Sequence, residues 1–438
     1  MASKVFRISG LPPQTDTNTL REALGLKQED IINIKAISPC CSDPATKVAI
    51  VEFGQGPPSY LKDMIEGHKS DHQVEMAGCD DLNIDMNFYG LAQLYATPHK
   101  ADISADIVAV TSIAGHAFGS WRGRGNLRRM WLQDFLQKDL PNCRTMIFGY
   151  NSKLDSPGIH QIEDYRDNLL TELKKARVSG EEQSRPIIFI GHSFGGIIIT
   201  QALVKSRDTK PSSDPDINAI HKATYATLFF GTPHRGFNVE SLTKMLKIVS
   251  FYETIKSQTP EKVNKGFERI GGYQLSVSKT SALLNPPEGE ITVCVNEDHT
   301  HLVKFDSKQR SAYSDTILNL KRFERAPPGL PAASASLIPT MPPIIPVPHI
   351  LPASPTVPGS PGINNQTPFR DAYPELQSLQ PPLKSRRYYT RIPKGKLEAE
   401  RKRQQAVSII KSGSMGRIPD QGKSSFSPED EENGEKFE

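Results

Sequence analysis

The residues best suited to carry chemistry lie in one run, Gly191-His192-Ser193-Phe194-Gly195. An apolar stretch at 187–190 precedes it, and an apolar helical pattern begins at once behind it. A serine hydroxyl becomes a useful nucleophile when it is held in the open beside a base. Glycines on either side let neighbouring backbones approach without a Cβ clash and allow the serine strained dihedrals. A helix that starts at the serine leaves unpaired N–H groups able to hold an oxyanion. Strand, tight turn and helix together are the context this pattern requires. Ser193 is therefore the expected nucleophile.

A serine of this kind takes its acid and then its histidine from later in the chain. Residues 291–295 read as a last strand, followed by Asn296-Glu297-Asp298-His299-Thr300-His301. Either histidine stands in position; His299 is nearer, follows Asp298, and is preferred over His301. The strand at 247–251 runs into Tyr252-Glu253-Thr254. Glu253 is thus the candidate acid, whose carboxylate would accept the imidazole N–H, fix its tautomer and stabilise the imidazolium. A second oxyanion donor belongs to the loop behind an early strand. Strand 106–110 leads into such a loop at 111–121, and the expected donors are the backbone amides of Ile113 and Phe194. His116, in the same loop, is placed to shape the pocket, though packing or facing solvent is the preferred reading. Acyl transfer by this set needs no metal and no organic cofactor.

The elements that must position these residues alternate along the chain from about 101 to 325. Strands are expected at 106–110, 145–148, 186–190, 225–230, 247–251 and 291–295, and helices at 128–140, 162–175, 195–205 and 311–323. Such alternation gives an α/β layer with a mostly parallel sheet and helices on both faces. With a serine elbow inside it, the expected fold is that of an α/β hydrolase. Residues 1–92 read differently, as βαββαβ, a small α+β ferredoxin-like unit that shares the RNA-recognition topology. Its strands fall at 4–9, 31–37, 47–53 and 82–88 and its helices at 17–24 and 58–66. An RNA-binding sheet needs aromatic faces on its central strands, but Arg7, Val48 and Ile50 occupy those positions here. Nucleic-acid binding is not expected of it, and an interaction or structural module is.

At 438 residues the chain is long enough for two or three domains, yet only 37 % of it is hydrophobic. Part should therefore not fold. From 326 to 383 proline is dense, with serine, alanine and glycine between; a basic run follows at 384–403 and an acidic end at 428–438, so 326–438 has the composition of a disordered tail. The net charge of +4 is too small to point to a partner. Five irregularly spaced cysteines argue against disulfides and zinc and for a reducing compartment. No signal-peptide pattern opens the chain and no run of about 18 apolar residues occurs. The expectation is an intracellular protein, cytoplasmic or organelle- or membrane-associated, not secreted, with peripheral membrane contact open.

The ordered set of motifs resembles the lipase-like α/β hydrolases related to serine-active-site-containing protein and GPI inositol-deacylase. It is most similar to the fungal versions that precede NACHT, ankyrin or tetratricopeptide regions. The resemblance rests on Asp106-Ile-Val-Ala-Val110, Gly115-His-Ala-Phe-Gly-Ser-Trp121, Trp131-Leu-Gln-Asp-Phe-Leu136 and Phe148-Gly-Tyr-Asn-Ser-Lys153. It continues through the elbow, Phe230-Gly-Thr-Pro-His-Arg-Gly236, Ser250-Phe-Tyr-Glu-Thr254, Asp298-His299 and Lys304-Phe305, about half the chain. It implies Ser193, an acid and the histidine of the Asp-His pair as the triad, with His234 in a pocket wall. The implied substrate is an acyl ester of lipid type. Two departures stand out: Thr111-Ser112-Ile113, where relatives carry a glycine, and a short crossover at 236–247. They support a second reading, a weakly active or inactive signalling scaffold with protein partners at the N-terminal module and proline-rich tail.

Overall fold

A computed structural model describes residues 4–27, 30–54, 56–76, 80–97, 103–152, 161–235, 246–263, 266–284 and 289–325. The proline-rich tail and positions 236–245 of the short crossover lie outside the described residues.

The N-terminal part has strands β1 (Val5–Leu11), β2 (Ile32–Pro39), β3 (Lys47–Phe53), β4 (Asp71–Val74) and β5 (Leu82–Asp85), with helices α1 (Thr17–Ala23) and α2 (Lys62–Glu66). The strands form an antiparallel sheet in the order β2-β3-β1-β5-β4. Strand β4 escapes a reading by pattern because Asp-His-Gln-Val offers no apolar face. Alternation sorts the two faces of the sheet. Phe6, Ile8, Ala49 and Val51 pack with Leu20 and Leu24, the side expected for the helices. Ile50, between Ala49 and Val51, joins a different core that belongs to the second sheet. The face on which an RNA-recognition sheet would stack bases is thus covered: Ile50 is fully buried, and Arg7 is tied to Asp85 at 2.7 Å.

The second sheet contains β6 (Gly90–Gln93), β7 (Ala105–Val110), β8 (Cys143–Gly149), β9 (Ile187–His192), β10 (Thr224–Phe230) and β11 (Lys247–Glu253). A hairpin of β12 (Ser257–Val263) and β13 (Gly266–Gln274) follows, and then the last strand, β14 (Glu290–Val295). The order is β14-β11-β10-β9-β7-β8-β6, parallel throughout except for β6 against β8. This is a mostly parallel α/β sheet. Around it lie α3 (Trp131–Asp134), α4 (Leu136–Asp139), α5 (Ile162–Ala176), α6 (Gly180–Ser184), α7 (Phe194–Asp208), α8 (Pro215–Ala223), α9 (Lys279–Ala282) and α10 (Ser311–Glu324). Strand β7 shows why the sheet reads as unbroken apolar runs: Ile107 and Ala109 enter one core, Val108 and Val110 the other. The chain passes from β7 to β8 on one side, then returns across β7 to β9 on the other. Strand order reverses there, at the carboxyl ends of β7 and β9, the place where open α/β sheets generally bind ligands.

The helix expected over 128–140 is instead two short helices meeting at Phe135. Tertiary packing wins over local pattern: Phe135 sits 5.2 Å from the Tyr313 ring and Trp131 sits 4.9 Å from Phe305. No described helix is long and apolar enough to cross a membrane. Cys40, Cys41, Cys143 and Cys294 are unpaired.

At the opposite end of β7 lies a buried charge cluster. Asp106 is fully buried and accepts from the Arg144 guanidinium at 2.8 and 2.7 Å, from Arg177, and from Arg185 at 3.4 Å. Burial opposes its charge, but the three guanidinium groups outweigh it and hold the carboxyl below the ordinary value of 3.8. Stabilisation from the cluster is therefore complete above that value and is lost only as pH falls through the lowered one. Asp106→Asn strands three cations and should lower unfolding free energy by about 3–5 kcal/mol at neutral pH. Urea titration of both proteins checks this, and an unchanged midpoint would refute the cluster's role.

Candidate active site

Strand β9 ends at His192 and helix α7 begins at Phe194, leaving Ser193 between them at φ 52° and ψ −121°. A non-glycine residue in that region costs on the order of 1–3 kcal/mol and persists only where its surroundings dictate it. The surroundings here are explicit. The Ser193 N–H donates to the Phe230 carbonyl at 2.8 Å, and the Gly196 N–H to the Ser193 carbonyl at 3.0 Å. A Cβ on Gly195 would strike the Val110 and Thr111 carbonyl oxygens, and one on Gly196 would strike Thr232. A Cβ on Gly191 would lie 2.6 Å from the Cα of Gly196. The three glycines therefore let β9, α7 and the loop behind β7 touch backbone to backbone. Phe194, as the first residue of α7, presents an N–H that has no partner one turn back.

The loop behind β7 is pinned from several sides. Tyr150 donates its hydroxyl to the Thr111 carbonyl at 3.0 Å, and the Ala114 N–H donates to the Ser152 carbonyl at 2.6 Å. Ser152 Oγ donates to the Gly115 carbonyl at 2.5 Å, and Ala114 takes φ 56°. Ile113 sits in this turn with its side chain exposed. His116 packs. Its Nδ1 accepts from the N–H groups of Phe118 and Gly119, which obliges Nε2 to carry the proton given to the Met86 carbonyl at 2.6 Å. Burial lowers its pKa and keeps that neutral tautomer.

Behind β14 the two histidines part company. Asp298 closes the turn by accepting from the N–H groups of Thr300 and His301, and it also binds the His301 ring at 2.9 Å. His299 turns the other way and meets Glu253, Nδ1 to Oε2, at 2.5 Å. Glu253 is the last residue of β11 and is 2 % exposed. Its other oxygen accepts from the N–H groups of Ser276 and Val277 at 2.6 and 3.1 Å. An ionised carboxylate so placed only accepts, so Nδ1 of His299 donates and Nε2 keeps its lone pair. Gly231, at φ 55°, marks how close β10 comes: a Cβ there would lie 3.0 Å from the His299 ring.

Other contacts in this region have no pattern to announce them. His192 Nε2 donates to the His299 carbonyl at 3.0 Å. Burial, helped by the neighbouring His299, pushes its pKa down to about 3, so it stays a neutral donor. Tyr150 and Ser152 lie in a stretch matched only by resemblance, while the Ser276 and Val277 amides follow a hairpin that sequence does not reveal. His234 is buried edge-on to Phe229, and burial pushes it down to about 4. No cluster of three or more metal-binding side chains occurs among the described residues.

Residues 126–280 match a family described as "Putative serine esterase (DUF676)". The match includes Ser193 and Glu253 and ends before His299. Protein SERAC1 of Danio rerio is 30 % identical over 156 residues, 31 % of this chain and 22 % of that protein. Protein SERAC1 of Homo sapiens is 24 % identical over 222 residues, 44 % of this chain and 32 % of its own length. The match thus spans under a third of either relative. A lipase-esterase related protein of Clostridium acetobutylicum superposes with a TM-score of 0.33 at 10 % identity, covering 54 % of this chain and 99 % of that one. The esterase Pf2001 of Pyrococcus furiosus gives 0.31 at 12 % identity, covering 61 % and 97 %. In sequence match, elbow and strand order, this part of the chain is similar to lipase-like serine hydrolases.

The backbone contacts at the elbow make a steric prediction. Gly195→Ala and Gly196→Ala should each cost about 1–3 kcal/mol, the usual range for overpacking. Gly180→Ala, where a Cβ meets nothing within 4 Å, should be close to neutral. Denaturant unfolding of the three variants checks the contrast, and equal stability of all three would contradict it.

Proposed function

We propose that this domain is a serine esterase that cleaves an apolar acyl ester through Ser193, His299 and Glu253. The observation that carries the reading is the His299–Glu253 pair, whose carboxylate is saturated by two further amides, at the sheet end where the serine elbow projects. In this mechanism Nε2 of His299 takes the proton of Ser193 Oγ as the oxygen attacks the ester carbonyl. The N–H groups of Phe194 and Ile113 hold the oxyanion. Collapse expels the alcohol, which receives the proton from His299, and water then repeats the sequence to release the acid. Glu253 remains ionised and stabilises the imidazolium. His192 holds the His299 backbone and acts as a positioning residue. Tyr165 and Phe194 lie edge-to-face at 6.4 Å and Tyr150 is 4.8 Å from Tyr165, an aromatic setting suited to an apolar acyl chain. A lipid ester is the favoured class, by analogy with the resembling family.

A fluorophosphonate probe and p-nitrophenyl butyrate test this reading directly. Wild type should label and hydrolyse, and Ser193→Ala should do neither. Glu253→Gln should lower kcat by about 10³- to 10⁴-fold, the scale known when a triad carboxylate becomes an amide. His301→Ala should stay near wild type. A folded wild-type chain that neither labels nor hydrolyses would overturn the esterase reading and favour the scaffold, for which Ser112 beside the oxyanion donor is the supporting departure.

A further inference from the structure

A cavity of about 640 Å³ opens where the N-terminal sheet meets the second domain, and none of the proposed catalytic residues lines it. Its size falls within the range of small-molecule sites, about 300–1,000 Å³. Lys4, Arg124, Arg128 and Lys304 contribute four cations to its wall, and among the described residues no carboxylate lines it. A fifth cation, Arg122, is already paired with Glu52. Among the described residues, Arg124 and Arg128 have no ion-pair partner. Among the described residues Lys304 donates to the carbonyls of Gly119 and Ser120, at 3.4 and 3.0 Å. Burial, with the nearby Arg124 adding to it, pulls its pKa down to about 8, and Asp306 acts the other way. The Asp306 carboxylate is turned to the Gly125 N–H at 2.6 Å and to Arg310 at 3.4 Å.

The basic rim is built rather than loose. The Gly123 N–H donates to the Arg129 carbonyl at 2.8 Å and the Arg128 N–H to the Gly125 carbonyl at 3.0 Å, closing a tight turn that carries both arginines. Side chains on Gly123 or Gly125 would collide with or crowd Asp306, so the turn is fitted against it. Val5, Met86 and Phe118 add an apolar portion to the same wall. Guanidinium groups and an ammonium around one opening suit phosphate oxygens, which arginine binds through paired N–H donors. We infer that this cavity is a second ligand site, separate from the ester site, that takes a phosphate-bearing organic molecule, its phosphate at Arg124, Arg128 and Lys304 and its apolar part against Val5, Met86 and Phe118. A soluble phosphate compound and the headgroup of a phospholipid share this chemistry.

The full chain can be tested with ATP, with inorganic pyrophosphate, and with phosphatidylcholine vesicles containing or lacking phosphatidic acid. A rise in unfolding temperature with ATP or pyrophosphate identifies a soluble ligand. Sedimentation with the phosphatidic acid vesicles, without a response to the soluble probes, identifies a headgroup. In either case R124S/R128S, which changes two exposed side chains, should weaken binding by about tenfold or more, because both guanidinium groups donate charge-assisted hydrogen bonds to the phosphate. K27S/K222S removes the same charge at exposed positions elsewhere and should bind as wild type. Ser193→Ala should also bind as wild type. The inference fails if no probe binds at millimolar concentration, if R124S/R128S binds normally, or if K27S/K222S loses binding equally.

Discussion

The contact between the elbow and the loop behind β7 sets the terms for the rest of the site. Gly195 rests on the Val110 and Thr111 carbonyls with no room for a single added carbon, while Gly191 and Gly196 close the other side. Interiors are packed densely enough that such contacts cannot be relaxed piecemeal. Because the elbow is held this tightly, Ser193 keeps a positive-φ conformation that a free chain would abandon. The same contact sets the first residue of α7 beside the turn that carries Ile113. Two amides from distant parts of the sequence are thereby brought to one sheet end. The glycines permit the close approach, and the hydrogen bonds of Ser193, Gly196 and the loop behind β7 hold it.

Around the histidine the arrangement relies on hydrogen bonds instead. Glu253 sits at the end of a buried parallel strand, so its charge has to be met on every side, and Ser276, Val277 and His299 meet it. His192 fastens the backbone of His299 from the strand that bears Ser193. One strand thus leads into the Ser193 elbow and also holds the backbone of His299. Motion of β9 would carry both groups together, which favours a constant relation between them.

Much of this was legible in the residues because the decisive signals are local. The elbow combines an apolar strand, glycines and a helix start, and the six parallel strands read as short apolar runs. Helix α8 was not among the expected elements, although its Asp-Pro start is an equally local signal: Asp214 accepts from the Ile217 N–H and Pro215 opens the helix. Other features were hidden for physical reasons. Strand β4 has no apolar face, and Phe135 breaks a helical pattern because aromatic packing from α10 outweighs propensity. His192 stands inside the motif itself, but its bond to a carbonyl 107 residues away is a property of the folded chain. Which ring of His299 and His301 Asp298 binds, and which Glu253 binds, is likewise visible only in side-chain geometry.

Strand β6 is a seam between the two sheets. The segment that leaves the N-terminal sheet does not simply link it to the next; it becomes the antiparallel edge of the hydrolase sheet, Gly90 opposite Gly149 and Gln93 opposite Met146. Ser38 in the first sheet bonds the carbonyl of Gln93 in the second, and Glu52 reaches Arg122. A fragment that began after this strand would leave β8 with a bare row of backbone donors and acceptors, open to pairing with any other strand. The two sheets are therefore not beads on a string that can be separated, exchanged or expressed apart. Each is finished by the other.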